Sequence, residues 1–91
     1  MEYEWDEGKH EANRIKHDVD FAAAMLFNWE SAILAEDQRW NYGEQHRIAI
    51  GFIGERLHVM VFTSRGEVIR LIGLRKANLR EAIRYEKAQE A

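Results

Sequence analysis

Arg47 to Arg75 reads RIAIGFIGERLHVMVFTSRGEVIRLIGLR, three apolar runs of strand length separated by Gly54-Glu55-Arg56 and by Ser64-Arg65-Gly66-Glu67. Short glycine-containing breaks between β-rich runs are hairpin signals, so this stretch predicts three consecutive antiparallel strands. Period-2 alternation sets Ile48, Ile50 and Phe52 against Arg47, Ala49 and Gly51 in the first strand. It sets Leu57, Val59, Val61 and Thr63 against His58, Met60 and Phe62 in the second. In the third, Val68, Arg70, Ile72 and Leu74 oppose Ile69, Leu71 and Gly73. Both faces are largely apolar, so helices from the flanking segments must cover the sheet.

Working outward, Tyr3-Glu4-Trp5 has the aromatic content of a short strand, and Asp6 can cap a helix from Glu7 to Lys16. At 100° per residue Trp5, Gly8, Ala12 and Ile15 form one stripe, read as the core side. Lys9, Asn13 and Lys16 form a second stripe beside it with His17 at its edge, and Glu7, His10, Glu11 and Arg14 take the wet side. Asp18 suits a turn, and Asp20 can cap a second helix from Phe21 to Trp29. Within residues 30–45, Ala32 to Ala35 suits a helical turn or a strand, and Asp37 to Gln45 reads as loop. Beyond the sheet, Asn78-Leu79-Arg80-Glu81 has capping-box spacing and starts a last helix running to Ala88. The expected architecture is α+β, one domain over residues 1–91. It is a small, mainly antiparallel twisted sheet of order β-α-α-β-β-β-α, with two N-terminal helices on one face and the last helix beside it.

Ninety-one residues bury about 60–65% of the unfolded chain's surface, enough for one core. No cysteine is present, which excludes disulfides, thiolate metal sites and a cysteine nucleophile. No apolar run approaches the roughly 20 residues of a membrane span. A cytoplasmic protein is the expectation. Net charge is −3, yet residues 1–45 hold four Lys and Arg against eleven Asp and Glu, whereas residues 46–91 hold nine against five. The basic half is where a polyanion would meet the sheet.

His10, His17, His46 and His58 show no His-x-x-x-His spacing, and there is no phosphate-cradling glycine loop or nucleophile elbow, so neither a metal nor another cofactor is expected. What remains is a set of cations without a dedicated carboxylate pair, which suits stabilising a phosphate better than hydrolysing a glycoside or peptide. RNA carries its own nucleophile, the 2′-hydroxyl, and needs only a base, an acid and cationic donors.

Trp5-Asp6-Glu7, Lys9, Asn13 and Lys16-His17, followed by Val19, Phe21, Ala24 and Phe27, resemble the opening of the BrnT toxins of bacterial type II toxin-antitoxin pairs. Arg47, Gly51, Val61-Phe62-Thr63, Arg65, Arg70, Ile72, Arg75, Ala77, Glu81 and Tyr85 continue the likeness along nearly the whole chain, apart from residues 28–45. The chain departs from the family pattern at Asp18, where a glycine is usual, and at Gly73-Leu74, where Ser-Ala usually precedes the arginine. The second departure removes a hydroxyl next to Arg75. The resemblance implies a RelE-like fold, RNA cleavage that arrests translation, and neutralisation by a BrnA-like antitoxin, operator DNA being bound only through that antitoxin. It implies Lys16 or His17 as acid or base, Arg65, Arg70 and Arg75 around the phosphate, and Lys9, Asn13, Arg47, Glu81 and Tyr85 as RNA contacts. A second class of reading is a non-catalytic interaction protein that binds an antitoxin or supports repression at DNA.

Overall fold

A computed structural model describes residues 1–37 and 45–90. In chain order it contains β1 (Glu2–Trp5), α1 (Glu7–His17), a 3₁₀ helix (Phe21–Leu26), β2 (Ile33–Asp37), β3 (His46–Ile53), β4 (Arg56–Arg65), β5 (Val68–Lys76) and α2 (Leu79–Glu90). The strands form one sheet of order β1-β5-β4-β3-β2. The three antiparallel strands lie where the apolar runs predict, with Gly54 and Gly66 at φ of 61° and 63° turning the two hairpins.

The expected order needs two corrections. Ile33–Asp37 is a strand, paired antiparallel with β3 from Ile33↔Ile50 to Asp37↔His46, so β2 adds an element. The sheet is also mixed, because β1 runs parallel to β5 with Glu2 opposite Val68 and Trp5 opposite Leu71. The loop expected over residues 37–45 falls largely on residues 38–44, outside the described ones. The second helix is 3₁₀ rather than α and stops at Leu26, since Phe27 turns extended (ψ 129°) and bridges to Ile53. Gly51 makes that bridge possible: a Cβ there would sit 2.7 Å from Phe27 Cζ and 3.2 Å from the Asn28 carbonyl oxygen.

The caps are those the sequence predicts. Asp6 accepts from the Lys9 backbone N–H at 3.0 Å, Asp20 from that of Ala22 at 2.8 Å, and Asn78 and Glu81 exchange two bonds of 2.9 Å. The face of α1 is not. Ala12 is exposed and Ile15 is 77% exposed, while His10 and Asn13 turn inward. Polar residues take the buried side because each finds partners there. The His10 ring stacks on Phe21 at 5.4 Å and meets Trp5 edge-on, with its nitrogens 3.3 Å from Glu7 and 2.9 Å from Asp20. Asn13 meets the backbone of β5: its amide nitrogen donates to the Leu74 carbonyl at 2.7 Å and to that of Val19 at 3.0 Å, and its oxygen accepts the Leu74 N–H at 3.1 Å. Since β1 pairs with β5 only as far as Leu71, Asn13 supplies the edge with one residue's worth of strand.

The two faces carry separate cores. Val19, Phe21, Ala24 and Phe27 pack with Ala49, Met60, Phe62, Leu71 and Leu74 on the α1 side. Ile50, Leu57 and Val59 pack with Tyr85 on the other, so α2 lies across the opposite face and not beside the N-terminal helices. Leu74 and Leu71 share a face because alternation breaks between them. Val61 pairs with Gly73 but Phe62 with Leu71, leaving Ile72 as the extra residue of a bulge.

Two stability measurements follow from these contacts. Asn13→Ala should lower unfolding free energy by about 2–3 kcal/mol in urea titration, because Leu74 keeps a buried N–H and C=O without partners. A loss near zero would mean water replaces the amide. His10 is raised above 6.5: burial alone would lower it, but the hydrogen bonds and charges of Glu7 and Asp20 outweigh burial. Its contribution is therefore complete below pH 6.5 and disappears as pH climbs through the raised value. Urea midpoints of the parent chain should fall over that rise, and those of His10→Gln should not.

Candidate active site

Helix α1 ends at Asp18, which adopts the left-handed conformation (φ 57°) and gives its N–H to the Arg14 carbonyl at 2.9 Å. His17 is thereby fixed as the last helical residue. It lines a shallow pocket of about 320 Å³ with Lys9, Ala12, Asn13 and Lys16 of α1 and Ile72 and Gly73 of β5. Its imidazole is held below 6.5, first by burial and then by the charges of Lys16 and Arg75. A helix C-terminus favours the protonated ring, so burial and two cations prevail over the dipole here.

The bulge decides where Arg75 goes. Strict alternation would put it on the α1 face with Leu71, but the extra residue carries it to the α2 face opposite Val59. There its guanidinium grips Glu81 through two hydrogen bonds of 2.8 and 2.7 Å, a bidentate pair with the acidic member of the α2 capping box. The Glu81 carboxyl is pulled below 4.5 chiefly by Arg75, against burial, with help from the Asn78 N–H. Arg75, Glu81 and Arg84 rim a groove of about 620 Å³ whose floor includes Ile33, Ile48, Ile50, Val59 and Val61.

The other expected residues are dispersed. Arg70 shares the face of Arg75 but lies five residues away, about 16 Å of strand, and is paired with Glu4 of β1 at 2.7 Å. Arg65 ends β4 at the β4–β5 hairpin, opposite Val68 and about 20 Å from Arg75 along the sheet. One phosphate cannot meet Arg65, Arg70 and Arg75 together, which corrects the expectation of a three-arginine cradle. Arg47 lies over the Phe62 ring at 6.0 Å on the α1 side, away from the groove. Two expected RNA contacts are structural instead. Asn13 is 7% exposed with its amide engaged by backbone, and Tyr85 is 6% exposed and donates its hydroxyl to the Ser31 carbonyl at 2.8 Å.

Lys9, Lys16 and His17 therefore line one pocket and Arg75 and Glu81 a groove across β5, the two linked by the effect of the Arg75 charge on His17. Arg84 joins them from α2, and its position three residues after Glu81 on a helix was the available signal. Among the described residues no group of three His, Asp or Glu side chains is arranged to hold a metal ion. A Cβ at Gly73 would meet nothing closer than Asn13 Oδ1 at 3.9 Å, so the site has room for the serine usual in the resembling family.

Comparison with known proteins finds a matching family and matching solved structures. The family described as "Ribonuclease toxin, BrnT, of type II toxin-antitoxin system" matches residues 5–81. Among solved structures, the 1.1 Å crystal structure of the Brucella abortus ribonuclease toxin BrnT superposes with a TM-score of 0.68 at 29% identity, over 86% of this chain and 97% of that one. No curated protein sequence matches the chain.

The Arg75–Glu81 pair sets an expectation for α2. Because the Glu81 pKa is depressed, its stabilisation is complete above 4.5 and fades as pH falls through the lower folded value. Glu81→Gln should cost about 1–2 kcal/mol, less than a fully buried pair because Arg75 is 36% exposed. Amide exchange across α2 reads the effect, and protection unchanged in Glu81→Gln would show that the contacts of Tyr85 and Gln89 with Ser31 anchor the helix without the ion pair.

Proposed function

The chain belongs to the family of BrnT ribonuclease toxins of type II toxin-antitoxin systems, and from that membership we propose that it is an endoribonuclease that cleaves RNA through its 2′-hydroxyl, without a metal, and so arrests translation. The neighbourhood of His17, Lys16 and Arg75 carries this reading. His17, held neutral by burial and by those two cations, takes the proton of the 2′-hydroxyl. The 2′-oxygen bonds to phosphorus, the bond to the 5′-oxygen breaks, and the leaving oxygen acquires a proton. The products are a 2′,3′-cyclic phosphate and a 5′-hydroxyl. Lys9, Lys16 and Arg75 stabilise the charge that develops on the phosphoryl oxygens. Glu81 acts by holding Arg75, and Arg65, Arg70 and Arg47 lie along the path of a longer strand.

A toxin of this class has an antitoxin partner. We take it to be BrnA-like, with operator DNA bound through the antitoxin, and the fold to be of the RelE-like kind and the compartment cytoplasmic. Among the described residues no helix is long and apolar enough to cross a membrane. The ion pairs of Arg70 with Glu4 and Arg75 with Glu81 favour a second reading, an interaction protein whose arginines are already engaged.

Purified protein should cleave RNA in excess EDTA and leave 2′,3′-cyclic ends. Ends bearing a 5′-phosphate, or activity restored by Mg²⁺, would point to metal-assisted cleavage. Since the base must be unprotonated and the His17 pKa lies below 6.5, kcat/KM should rise with pH through a value under 6.5 and stay flat above it. His17→Asn should lower kcat by about a hundredfold or more. Growth arrest that survives His17→Asn with total RNA intact would establish the interaction reading instead.

A further inference from the structure

The two faces of the sheet are covered unequally. Among the described residues α1 and the 3₁₀ helix lie against one face, and α2 by itself against the other. Helix α2 crosses its face from β5, where Glu81 binds Arg75, to the start of β2, where Tyr85 and Gln89 donate to the Ser31 carbonyl at 2.8 and 2.9 Å. It packs near the β3–β4 hairpin, with Tyr85 edge-on to Phe52 and against Leu57. Ile48 and Val61 lie four residues further along β3 and β4, about 13 Å from Phe52 and Leu57. Neighbouring helices pack about 8–10 Å apart, so this face has width for one more helix beside α2.

That width is the groove of about 620 Å³. Ile50 and Val59 at its base are buried, whereas Ile33, Ile48 and Val61 are half-buried and Ala35 is exposed. Its charges are Arg75, Glu81, Arg84 and Glu36, which sum to zero, so nothing in it calls for a polyanion. Arg75 and Glu81 are spent on each other. Arg84 on the α2 wall and Glu36 on the β2 wall are exposed, and neither makes a hydrogen bond or ion pair among the described residues. Aliphatic surface flanked by one free charge of each sign is complementary to an amphipathic protein helix that brings a carboxylate to Arg84 and a lysine or arginine to Glu36. From β2 to β5 is three strand spacings, about 14 Å, the rise of about nine helical residues.

We propose that this groove docks one helix of the antitoxin, lying beside α2 with its apolar stripe on Ile33, Ala35, Ile48 and Val61, a carboxylate on Arg84 and a cationic side chain on Glu36. The partner follows from the chain's family, toxins of a toxin-antitoxin system, so the inference rests on that membership and not on the cleavage chemistry. A helix seated there covers Arg75 from the groove side and does not enter the pocket of His17, which shares no lining residue with the groove.

The probe is the whole antitoxin, unlabelled, added to the full chain carrying labelled isoleucine, alanine and valine methyl groups. Its addition should shift the methyl resonances of Ile33, Ala35, Ile48 and Val61. Arg84→Glu and Glu36→Lys should each weaken binding by about tenfold or more, since each sets like charges together across the contact. Both side chains are exposed, so the variants should unfold at the parent temperature. Leu34→Lys puts a charge on the exposed edge strand outside the groove lining and should leave affinity within about twofold of the parent. Groove methyls that stay still in the complex, or parent affinity in both charge reversals, would overturn the docking. Binding lost in Leu34→Lys with the groove methyls unmoved would overturn it in favour of strand pairing at the β2 edge. Groove methyls shifted by a 2′-O-methyl oligoribonucleotide and not by the antitoxin would make the groove an RNA surface instead. Cleavage is read separately. A chain that docks the antitoxin here yet cuts no RNA would keep the inference and defeat the ribonuclease reading; one that cuts RNA while these methyls ignore the antitoxin would do the reverse.

Discussion

The side chain of Asn13 holds the free edge of β5, and the geometry around the candidate site depends on it. Beyond Leu71 the strand loses β1 as a partner, and an unpaired edge would leave backbone groups exposed or buried without bonds. Asn13 offers one donor and one acceptor in the pattern of a strand residue, and both meet Leu74. The same contact fixes α1 against the bulge at Ile72 and Gly73. His17, one helical turn further along α1, is therefore placed relative to β5 by a hydrogen-bonded amide and not by apolar packing alone. An aliphatic residue could fill that volume but would leave the edge unsatisfied.

Electrostatics follow from the same arrangement in a less obvious way. The basic half of the chain suggests a cationic surface, but two of its arginines are matched by carboxylates, one from β1 and one from α2. Arg70 with Glu4 secures the parallel strand, and Arg75 with Glu81 secures the last helix. The remaining positive charge near His17 comes from Lys9 and Lys16 of α1, while Arg84 of α2 lies near Glu81 across β5. Cations thus lie on both sides of β5, while burial and the charges of Lys16 and Arg75 hold the His17 ring below its ordinary pKa. Ion pairs that hold helices in place also set the orientation of Arg75, which a solitary surface arginine would not have.

Much of the fold was legible because local signals were strong. The hairpin glycines, the Asp6 and Asp20 caps, the Asn78–Glu81 capping box and the aromatic β1 each express a short-range rule. What escaped depended on partners distant in sequence. The polar side of α1 is buried because Asn13 finds Leu74 and His10 finds Asp20, neither of which periodicity can register. The face of Arg75 depends on a single extra residue at Ile72, and alternation read without the bulge inverts everything after it. Tyr85 looked available for RNA because a helix position says nothing about Ser31. Lys16 and His17 were legible as neighbours, but the nearness of Arg75 to His17 required the tertiary structure.

The parallel pairing of β1 with β5 also imposes an order in time. Glu2 to Trp5 leave the ribosome well before their partners, Val68 to Leu71. Until then α1 has no edge to clasp, and closing so long a loop is entropically slow compared with forming the β3–β4 and β4–β5 hairpins. His17 and Arg75 therefore stay apart until β5 has been made. A nascent chain therefore cannot bring His17 and Arg75 together until nearly all of its sheet has been made.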